Sequence, residues 1–429
     1  MTSRITSSAA RLRRALLGLA FVSAAAATAA TPFIEKQNLF EEKTAGFVSY
    51  RIPGIIVTAK GTVLTYCEAR KFTGFDWGEI EVHLRRSTDG ARTFDAARQI
   101  AHEGPRLPRN PVIYESKSTK SEGGPDEQTV NNPVMIAGRD GTVHFVYCVE
   151  YMRCFHRRST DDGATWSAPV EITSAFAKFR PDWAWRVIAT GPGHGIQHSR
   201  TGRLIVPVWL ALSKGSPHGF GVAATIFCDD GGTSWRGGDI AVPNDDVTPG
   251  TSECIAAELS DGRVMLNVRT RATPNRKVVT FSRDGATGWT KPAFAGALLE
   301  PVCMAGLVRY PETAGPARAR LLFSNPDTLD RADGKGTPGE RRDRKNVSVK
   351  LSYDDGRTWP VNKLLQSGPS AYSDLAVLPD GTVLCFYENG RAGAPKSSKP
   401  WPYAYLTLAR FNLEWLTDGK DTSVPVARR

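Results

Sequence analysis

The chain has 429 residues, 41% of them hydrophobic and 23% charged, and a formal net charge of +11. A chain of this length can bury a large core and needs no disulfide framework for its stability. Its lysines and arginines are scattered, and no basic run is interleaved with stacking aromatics. The positive charge therefore suits an anionic substrate and does not indicate a nucleic-acid partner.

The N-terminus has the pattern of a secretory signal peptide. Arginines between positions 4 and 14 precede an apolar run from Ala15 to Ala27, and Ala27-Thr28-Ala29 fits an A-x-A cleavage site. The run is short and ends in small residues, which favours a cleaved signal over the alternative, a membrane anchor. We expect residues 1–30 to be removed and the mature protein, which has no other candidate membrane span, to be exported to the periplasm, the cell surface or the medium.

Short apolar runs separated by turn signals predict β-strands along the remaining chain, and helical periodicity is nearly absent. After a lead-in at 33–49, the first unit has strands at 50–57 and 61–70, a loop at 71–78 and a strand at 80–86. The same rhythm recurs in later strand-like runs: 131–136, 141–147, 203–209, 252–259, 263–269, 320–325, 347–351, 371–377 and 381–387. We therefore expect an all-β fold, interrupted by a polar insertion at 103–127 and a mobile loop at 327–344.

An octapeptide of pattern S-x-D-x-G-x-T-W recurs along the chain. Five full or looser copies start at Ser87, Ser159, Cys228, Ser282 and Ser352, 54 to 72 residues apart. In such a turn the Asp accepts backbone N–H groups, the glycine takes a positive φ, and the aromatic residue packs beneath. The spacing predicts one four-stranded blade of a β-propeller for each copy. We expect these turns to be scaffold, looser in the first and fourth copies, where alanine replaces the second glycine.

The seven cysteines form no C-x-x-C motif, and six lie in or beside apolar runs. They are expected to be free thiols that behave as small hydrophobes, with one pair between Cys148 and Cys154 as the alternative. The Gly191–Ile196 motif, Gly-Pro-Gly-His-Gly-Ile, lacks the strand–helix context of a phosphate loop. It predicts a close backbone approach near the central channel, with His194 in the channel wall. No residue cluster has the spacing of a zinc site.

Four arginines lie at predicted strand ends, namely Arg51, Arg70, Arg269 and Arg344. In a propeller such positions converge on the central channel, where paired guanidinium donors can hold a carboxylate. The alternative is a set of separate surface salt bridges, which applies most to Arg344 because two further arginines lie close to it.

Three other residues are candidates for catalysis. Asp76 lies between Phe75 and Trp77, and apolar surroundings favour the acid form that a general acid needs. Glu253 and Tyr372 could meet in the fold, so that the carboxylate takes the proton of the hydroxyl and makes it nucleophilic. Taken singly, the aspartate could be a turn residue and the tyrosine a core residue.

The ordered set of motifs resembles bacterial exo-α-sialidases (neuraminidases) over about residues 45–415. It consists of Tyr50-Arg-Ile-Pro53, the five octapeptides, Gly191–Ile196, and Ala371-Tyr-Ser-Asp-Leu375. The resemblance implies a six-bladed β-propeller at 31–418 with the site on its axis, followed by a polar tail at 419–429.

The resemblance also implies roles for individual residues. The carboxylate of sialic acid would be held by Arg51, Arg269 and Arg344. Arg70 would lie near the sugar 4-hydroxyl, and Asn132 would line the pocket. Asp76 would be the acid/base residue, Glu253 the general base and Tyr372 the nucleophile.

The negative charge of sialic acid explains why its nucleophile would be a tyrosine and not a carboxylate. Sialic acid carries a carboxylate on its anomeric carbon, which repels a carboxylate nucleophile, whereas a neutral tyrosine avoids the repulsion. The expected protein is a monomeric retaining glycosidase that needs no cofactor or metal and acts on sialylated glycans or glycoconjugates. The alternatives are an enzyme for a related acidic sugar, a trans-sialidase whose acceptor site is shaped by the 103–127 insertion, and a non-catalytic glycan-binding propeller. A binding protein would not need Asp76, Glu253 and Tyr372 together.

Overall fold

The computed structural model describes Met1 and residues 30–72, 75–115, 124–213, 218–311, 319–391 and 401–422. Most of the signal peptide expected at 1–30, part of the insertion (116–123) and most of the polar tail (423–429) lie outside these described residues. In the parts of the chain that are described, no helix has the length and apolar character needed to cross a bilayer.

The described residues are almost entirely strands and their connections, which confirms the all-β class. The strands are β1 (Ile34–Glu41), β2 (Ser49–Val57), β3 (Val63–Arg70), β4 (Ile80–Ser87), β5 (Arg98–Gln99), β6 (Val130–Ala137), β7 (Val143–Val149), β8 (Arg153–Ser159), β9 (Val170–Glu171), β10 (Val187–Thr190), β11 (Gly193–His194), β12 (Ile196–Gln197), β13 (Leu204–Ala211), β14 (Gly221–Cys228), β15 (Trp235–Val242), β16 (Cys254–Glu258), β17 (Val264–Val268), β18 (Arg276–Ser282), β19 (Ala293–Leu299), β20 (Gly306–Arg309), β21 (Leu321–Pro326), β22 (Lys345–Ser352), β23 (Val361–Val377), β24 (Val383–Asn389) and β25 (Tyr405–Phe411). The helices are α1 (Val112–Glu115), α2 (Leu413–Leu416) and a 3-10 helix at Thr173–Phe179.

Four sheets have the size of a propeller blade, with four or five strands each. Two follow chain order, β2–β3–β4–β5 and β16–β17–β18–β19. The other two are built on the meanders β6–β9 and β13–β15, to which the short strands β10, β11 and β12 are added. Strands such as β3 and β13 are buried along their whole length, which is why they read as apolar runs without polar alternation.

The fifth sheet has seven strands, in the order β1-β25-β24-β23-β22-β21-β20. Its central strand, β23, is 17 residues long, and its two halves have different partners. Residues 361–369 pair with β22, whereas residues 370–377 pair with β24. Because this strand runs through without a break, the described residues form five sheets and not the six separate ones expected.

The first strands of neighbouring sheets contact each other around a common axis. Strand β2 lies against β6 and β23, and β16 lies against β13 and β20, while the short parallel strand β11 contacts β2, β16 and β23. The carbonyl of Gly193 accepts a hydrogen bond from the Tyr66 hydroxyl at 2.8 Å. A Cβ at Gly193 would lie 3.2 Å from Ile255, so the close backbone approach expected for this motif is confirmed.

The octapeptide turns occupy one equivalent place in every sheet that has them. Each copy begins on the last residue of a third strand, namely β4, β8, β14, β18 or β22. In the second copy, Asp161 accepts the Thr165 backbone N–H at 2.8 Å and the hydroxyl of the same threonine at 2.6 Å. The corresponding bond from a backbone N–H forms in the other four copies, at Asp89, Asp230, Asp284 and Asp354. The alanine copies keep these bonds, so the loosening expected for them is not observed.

All seven cysteines are buried and free. Cys148 and Cys154 lie opposite each other on β7 and β8 without forming a disulfide. In their described parts, the predicted insertion at 103–127 and the predicted loop at 327–344 contain no strand. The insertion contains the one-turn helix α1.

Candidate active site

A cavity of about 700 Å³ opens at the end of the axis where β2 begins and β3 ends, a size typical of small-molecule sites. The octapeptide turns lie at the opposite end of the strands. Seven of the eight residues predicted for the site line this cavity: Arg51, Asp76, Asn132, Glu253, Arg269, Arg344 and Tyr372.

At the floor of the cavity, Tyr372 and Glu253 are in direct contact. The Tyr372 hydroxyl donates to the two oxygens of the Glu253 carboxylate, at 2.6 and 2.8 Å. Arg269 donates to the same hydroxyl at 2.8 Å and forms an ion pair with Glu253. The pairing of β16 with β17 explains this geometry, because Glu253 and Arg269 flank the two strands and the Arg269 N–H bonds to the Glu253 carbonyl at 2.9 Å.

Burial and the negative charge of Glu253 raise the pKa of Tyr372, although Arg269 and Arg344 act in the opposite direction. The hydroxyl is therefore neutral at ordinary pH and needs a base to become a nucleophile. Glu253, in direct contact with it, can be that base.

Arg51 is held by a residue that sequence reasoning missed. Its Nε donates to the Glu388 carboxylate at 2.9 Å and its Nη2 at 3.3 Å, and its guanidinium lies 4.0 Å from the centre of the Tyr403 ring. The same carboxylate accepts the backbone N–H groups of Ile52 and Tyr372, at 3.2 and 3.0 Å. Glu388 is fully buried in strand β24. The sequence signal that could have identified it is a single acidic residue at the end of an apolar run.

Arg344 directly precedes β22 and is fixed from two sides. It donates to the Tyr403 hydroxyl at 3.0 Å and to the Val302 carbonyl at 2.9 Å. Its guanidinium lies 4.9 Å from the centre of the Tyr372 ring. Both Arg344 and Arg269 line the cavity, where their guanidinium groups can meet an anion.

Asp76 enters the cavity from the loop between β3 and β4, with 47% of its side chain exposed. Its carboxylate lies 3.1 Å from Arg70 and 3.9 Å from Arg51. Burial alone would raise the pKa of Asp76, but Arg70, His218 and Arg51 together lower it below its usual range. The expectation that the aromatic neighbours keep Asp76 in its acid form is therefore wrong, because the neighbouring positive charges outweigh them.

Arg70 does not line the cavity and is completely buried. It pairs with Glu68 at 2.7 Å, and the other oxygen of Glu68 accepts the Asn132 backbone N–H at 2.8 Å. Asn132 takes a positive φ of 51° there, which places it in the cavity wall. The contact of Arg70 with a sugar hydroxyl stays a prediction.

His194 lies outside this cavity. Its Nδ1 is 2.8 Å from a carboxylate oxygen of Asp374, and it lines a second cavity on the opposite side along the axis. Within the described ranges, no group of three His, Cys, Asp or Glu side chains is arranged to hold a metal ion. Other lining residues that sequence reasoning missed are Tyr151, Trp209, His218, Phe220, Arg271, Arg341 and Tyr403.

Comparison with known proteins identifies the family. Residues 115–385 match the family described as BNR repeat-like domain. A sialidase of Micromonospora viridifaciens is 32% identical over 90% of this chain and 55% of its own length. A sialidase of Bacteroides fragilis is 30% identical over 80% of this chain and 60% of its own length.

The Hadza microbial sialidase Hz136, a solved structure, has a TM-score of 0.65 and 26% identity, over 86% of this chain and 67% of that chain. The two curated relatives are longer proteins, of which this chain spans 55% and 60%. Since the family match covers more than half of the chain, the chain belongs to the family of proteins with a BNR repeat-like domain, and its similarity to sialidases extends over most of its length.

Proposed function

We propose that this protein is an exo-α-sialidase, which removes terminal α-linked sialic acids from glycoconjugates with retention of configuration. One observation carries the proposal, namely the Tyr372 hydroxyl bonded to Glu253 and Arg269 in a cavity lined by three converging arginines. The relatives named above are sialidases, which supports the same reaction for this chain.

The substrate carboxylate binds to Arg51, Arg269 and Arg344. Each guanidinium presents donors in a fixed geometry, and the protein contacts of Arg51 and Arg344 already hold them in place. Such preorganisation reduces the entropy lost when the sugar is fixed and places the anomeric carbon next to Tyr372.

In the first step, the tyrosine oxygen attacks the anomeric carbon while its proton passes to Glu253. The bond between that carbon and the leaving oxygen breaks, and Asp76 gives a proton to the oxygen. The products are a covalent aryl glycoside, in which the anomeric carbon is bonded to the Tyr372 oxygen, and a free aglycone.

Asp76 must take up a proton before this step, since the neighbouring arginines lower its pKa. A bound substrate carboxylate offsets the positive charge of Arg51, and the sugar removes water from around Asp76. Both effects favour the acid form, so substrate binding itself prepares the general acid.

In the second step, water attacks the anomeric carbon and gives its proton to the Asp76 carboxylate. The bond to the tyrosine oxygen breaks, and Glu253 returns the proton to Tyr372. Two displacements at one carbon retain its configuration.

The proposal extends to the architecture. Counting the two halves of the seven-stranded sheet as separate blades, with β1 as the outer strand of the last one, gives a six-bladed propeller. The catalytic domain then comprises residues 31–418, followed by the tail at 419–429. Cleavage after the N-terminal signal would export a monomer to the periplasm, the cell surface or the medium, where sialylated glycans are its substrates.

A fluorogenic α-sialoside tests the proposal directly. We expect the protein without residues 1–30 to release the fluorophore, and Tyr372→Phe to lose most of this activity. Incubation with 2,3-difluorosialic acid followed by peptide mass spectrometry should add one sugar mass to the peptide that contains Tyr372. Absence of release by the wild type would favour an enzyme for another acidic sugar or a glycan-binding protein, which a sugar array would then separate.

A further inference from the structure

Two arginines beyond those that hold the substrate carboxylate lie on the rim of the cavity. Arg271 follows Arg269 by two residues at the end of β17, and Arg341 precedes Arg344 by three residues before β22. Both line the cavity and both are exposed, so they flank its opening instead of its floor.

Neither rim arginine has an acidic partner. In the parts of the chain that the structure describes, the Arg271 guanidinium has no hydrogen bond or ion pair, and that of Arg341 contacts the Tyr403 hydroxyl at 3.3 Å. Other exposed arginines do form such pairs, for example Arg106 with Glu79 and Arg186 with Glu115. The rim thus places unneutralised positive charges beside the cavity arginines, a repulsion that a bound anion would relieve.

The rim is held in a defined shape. The buried side chain of Arg342 donates to the Asn275 side-chain oxygen at 3.2 Å, and the Gly339 N–H donates to the same oxygen at 3.0 Å. A Cβ at Gly339 would lie 2.4 Å from the Arg271 carbonyl oxygen, so the two loops are in close contact. These bonds fix the segment before β22, which carries Arg341, against the segment after β17, which carries Arg271.

We propose that Arg271 and Arg341 bind a second anionic group, on the unit to which the terminal sialic acid is attached. This inference rests on the proposed function and specifies its substrate class. The carboxylate of the terminal sugar binds to Arg51, Arg269 and Arg344, and the aglycone extends outward past the two rim arginines. A carboxylate or sulfate on that next sugar meets the rim arginines, whereas a neutral sugar leaves them unpaired.

Three substrates with the same terminal sugar test this preference. They are sialyllactose, whose next sugar is neutral, a disialylated lactose, whose next sugar carries a carboxylate, and a sulfated sialyllactose. For the wild type we expect kcat/KM for the first release of sialic acid to be about 3- to 10-fold higher with either anionic substrate, because an exposed ion pair changes affinity by about 2- to 5-fold. The preference should shrink at 0.5 M salt, which screens exposed charges.

The double variant Arg271→Gln/Arg341→Gln should lose the preference, and each single variant should lose part of it. Arg283→Gln is the matched control, an exposed arginine in the fourth octapeptide turn at the far end of the strands. If kcat/KM of the double variant falls by the same factor on all three substrates, the inference is wrong. The rim arginines would then attract any sialoside through its terminal carboxylate and would not bind a second anionic group. If the wild type cleaves sialyllactose with the same kcat/KM as the two anionic substrates, the inference is also wrong, but the proposed function is unaffected. If no substrate is cleaved, the proposed function itself fails.

Discussion

Glu388 accepts two hydrogen bonds from Arg51, at 2.9 and 3.3 Å, although 336 residues of chain separate the two. The same carboxylate accepts the backbone N–H of Tyr372 at 3.0 Å. One buried acid therefore positions both Arg51, which we propose binds the substrate carboxylate, and the strand that carries the proposed nucleophile.

Removal of this acid should impair binding and stability together. In Glu388→Ala, Arg51 becomes a buried cation without its partner, which costs about 3 kcal/mol or more of folding stability. We expect KM for a sialoside to rise at least tenfold, because Arg51 loses its fixed orientation. Urea unfolding and steady-state kinetics measure the two effects. Glu388→Gln keeps the shape and an acceptor and should lose less in both; an unchanged KM in the alanine variant would show that Arg51 does not bind substrate.

Glu253→Gln should lower kcat about 10²- to 10⁴-fold, since an amide cannot take the proton of Tyr372. The amide still accepts a hydrogen bond, so folding should be preserved, as judged by the thermal unfolding midpoint. Activated and natural substrates should lose similar factors, because the base acts on the nucleophile and not on the leaving group. A kcat near that of the wild type would exclude Glu253 as the base.

The response to Asp76→Asn should depend on the leaving group. An activated fluorogenic sialoside leaves with little need for protonation, so its first step should slow only modestly. Sialyllactose needs the proton, and its kcat/KM should fall by a further factor of about 100 or more. Equal losses on the two substrates would argue against a general acid at this position.

Two buried histidines at the other end of the strands should make stability depend on pH. His144 and His156 lie 3.2 Å apart, ring nitrogen to ring nitrogen. Burial lowers the pKa of His144 to about 4, and burial with the neighbouring ring lowers the pKa of His156 to about 3. The unfolded chain, with pKa values near 6.5, binds more protons than the folded one, so stability falls as pH drops from about 6.5 to 4.

The expected slope is at most about 1.4 kcal/mol per pH unit for each histidine. Urea unfolding at pH 7, 6 and 5 measures it. Carboxylates also contribute to acid unfolding, so the comparison is with His144→Gln/His156→Gln, whose slope should be shallower. Parallel slopes would mean that the pair takes up protons in the folded state as well.

The octapeptide turns should matter for stability and not for catalysis. Asp161→Ala removes the acceptor of the Thr165 N–H and hydroxyl, which should cost about 1–3 kcal/mol. We expect a lower thermal midpoint with kcat within about twofold of the wild type at 25 °C, since the turn is remote from the cavity. A large loss of kcat in a variant that is still folded would assign these turns a function beyond scaffold.

Local patterns predicted much of this molecule. The octapeptide carries its own hydrogen-bonding partners within eight residues, so its turns could be placed from the sequence alone. The same holds for strands β2, β3 and β4, which follow the apolar runs predicted at 50–57, 61–70 and 80–86. The contact of Tyr372 with Glu253 followed only from the family resemblance, because the pairing spans 119 residues.

What sequence reasoning missed depends on the environment of distant side chains. The aromatic neighbours of Asp76 suggested an acid form, but Arg70, at the end of the strand before this loop, and Arg51, on the neighbouring strand β2, reverse the direction of the pKa shift. In the sequence, Glu388 is a single charged residue in an apolar run, and its contact with Arg51 is visible only in the folded structure. The seven-stranded sheet was missed because Gly368 and Pro369, a typical turn pair, lie inside the continuous strand β23 at the point where it changes partners.

The antiparallel pairing of β1 with β25 has a consequence for how the chain assembles. Ile34 lies opposite Phe411 and Glu41 opposite Tyr405, so the earliest and latest described strands share one sheet. During synthesis, β1 cannot pair with β25 until nearly the entire chain has left the ribosome. The other sheets can form in order of synthesis, each from neighbouring strands, whereas this one joins the two ends of the chain last. A pause in translation before residue 405 should therefore hold the protein in a nearly folded, open form.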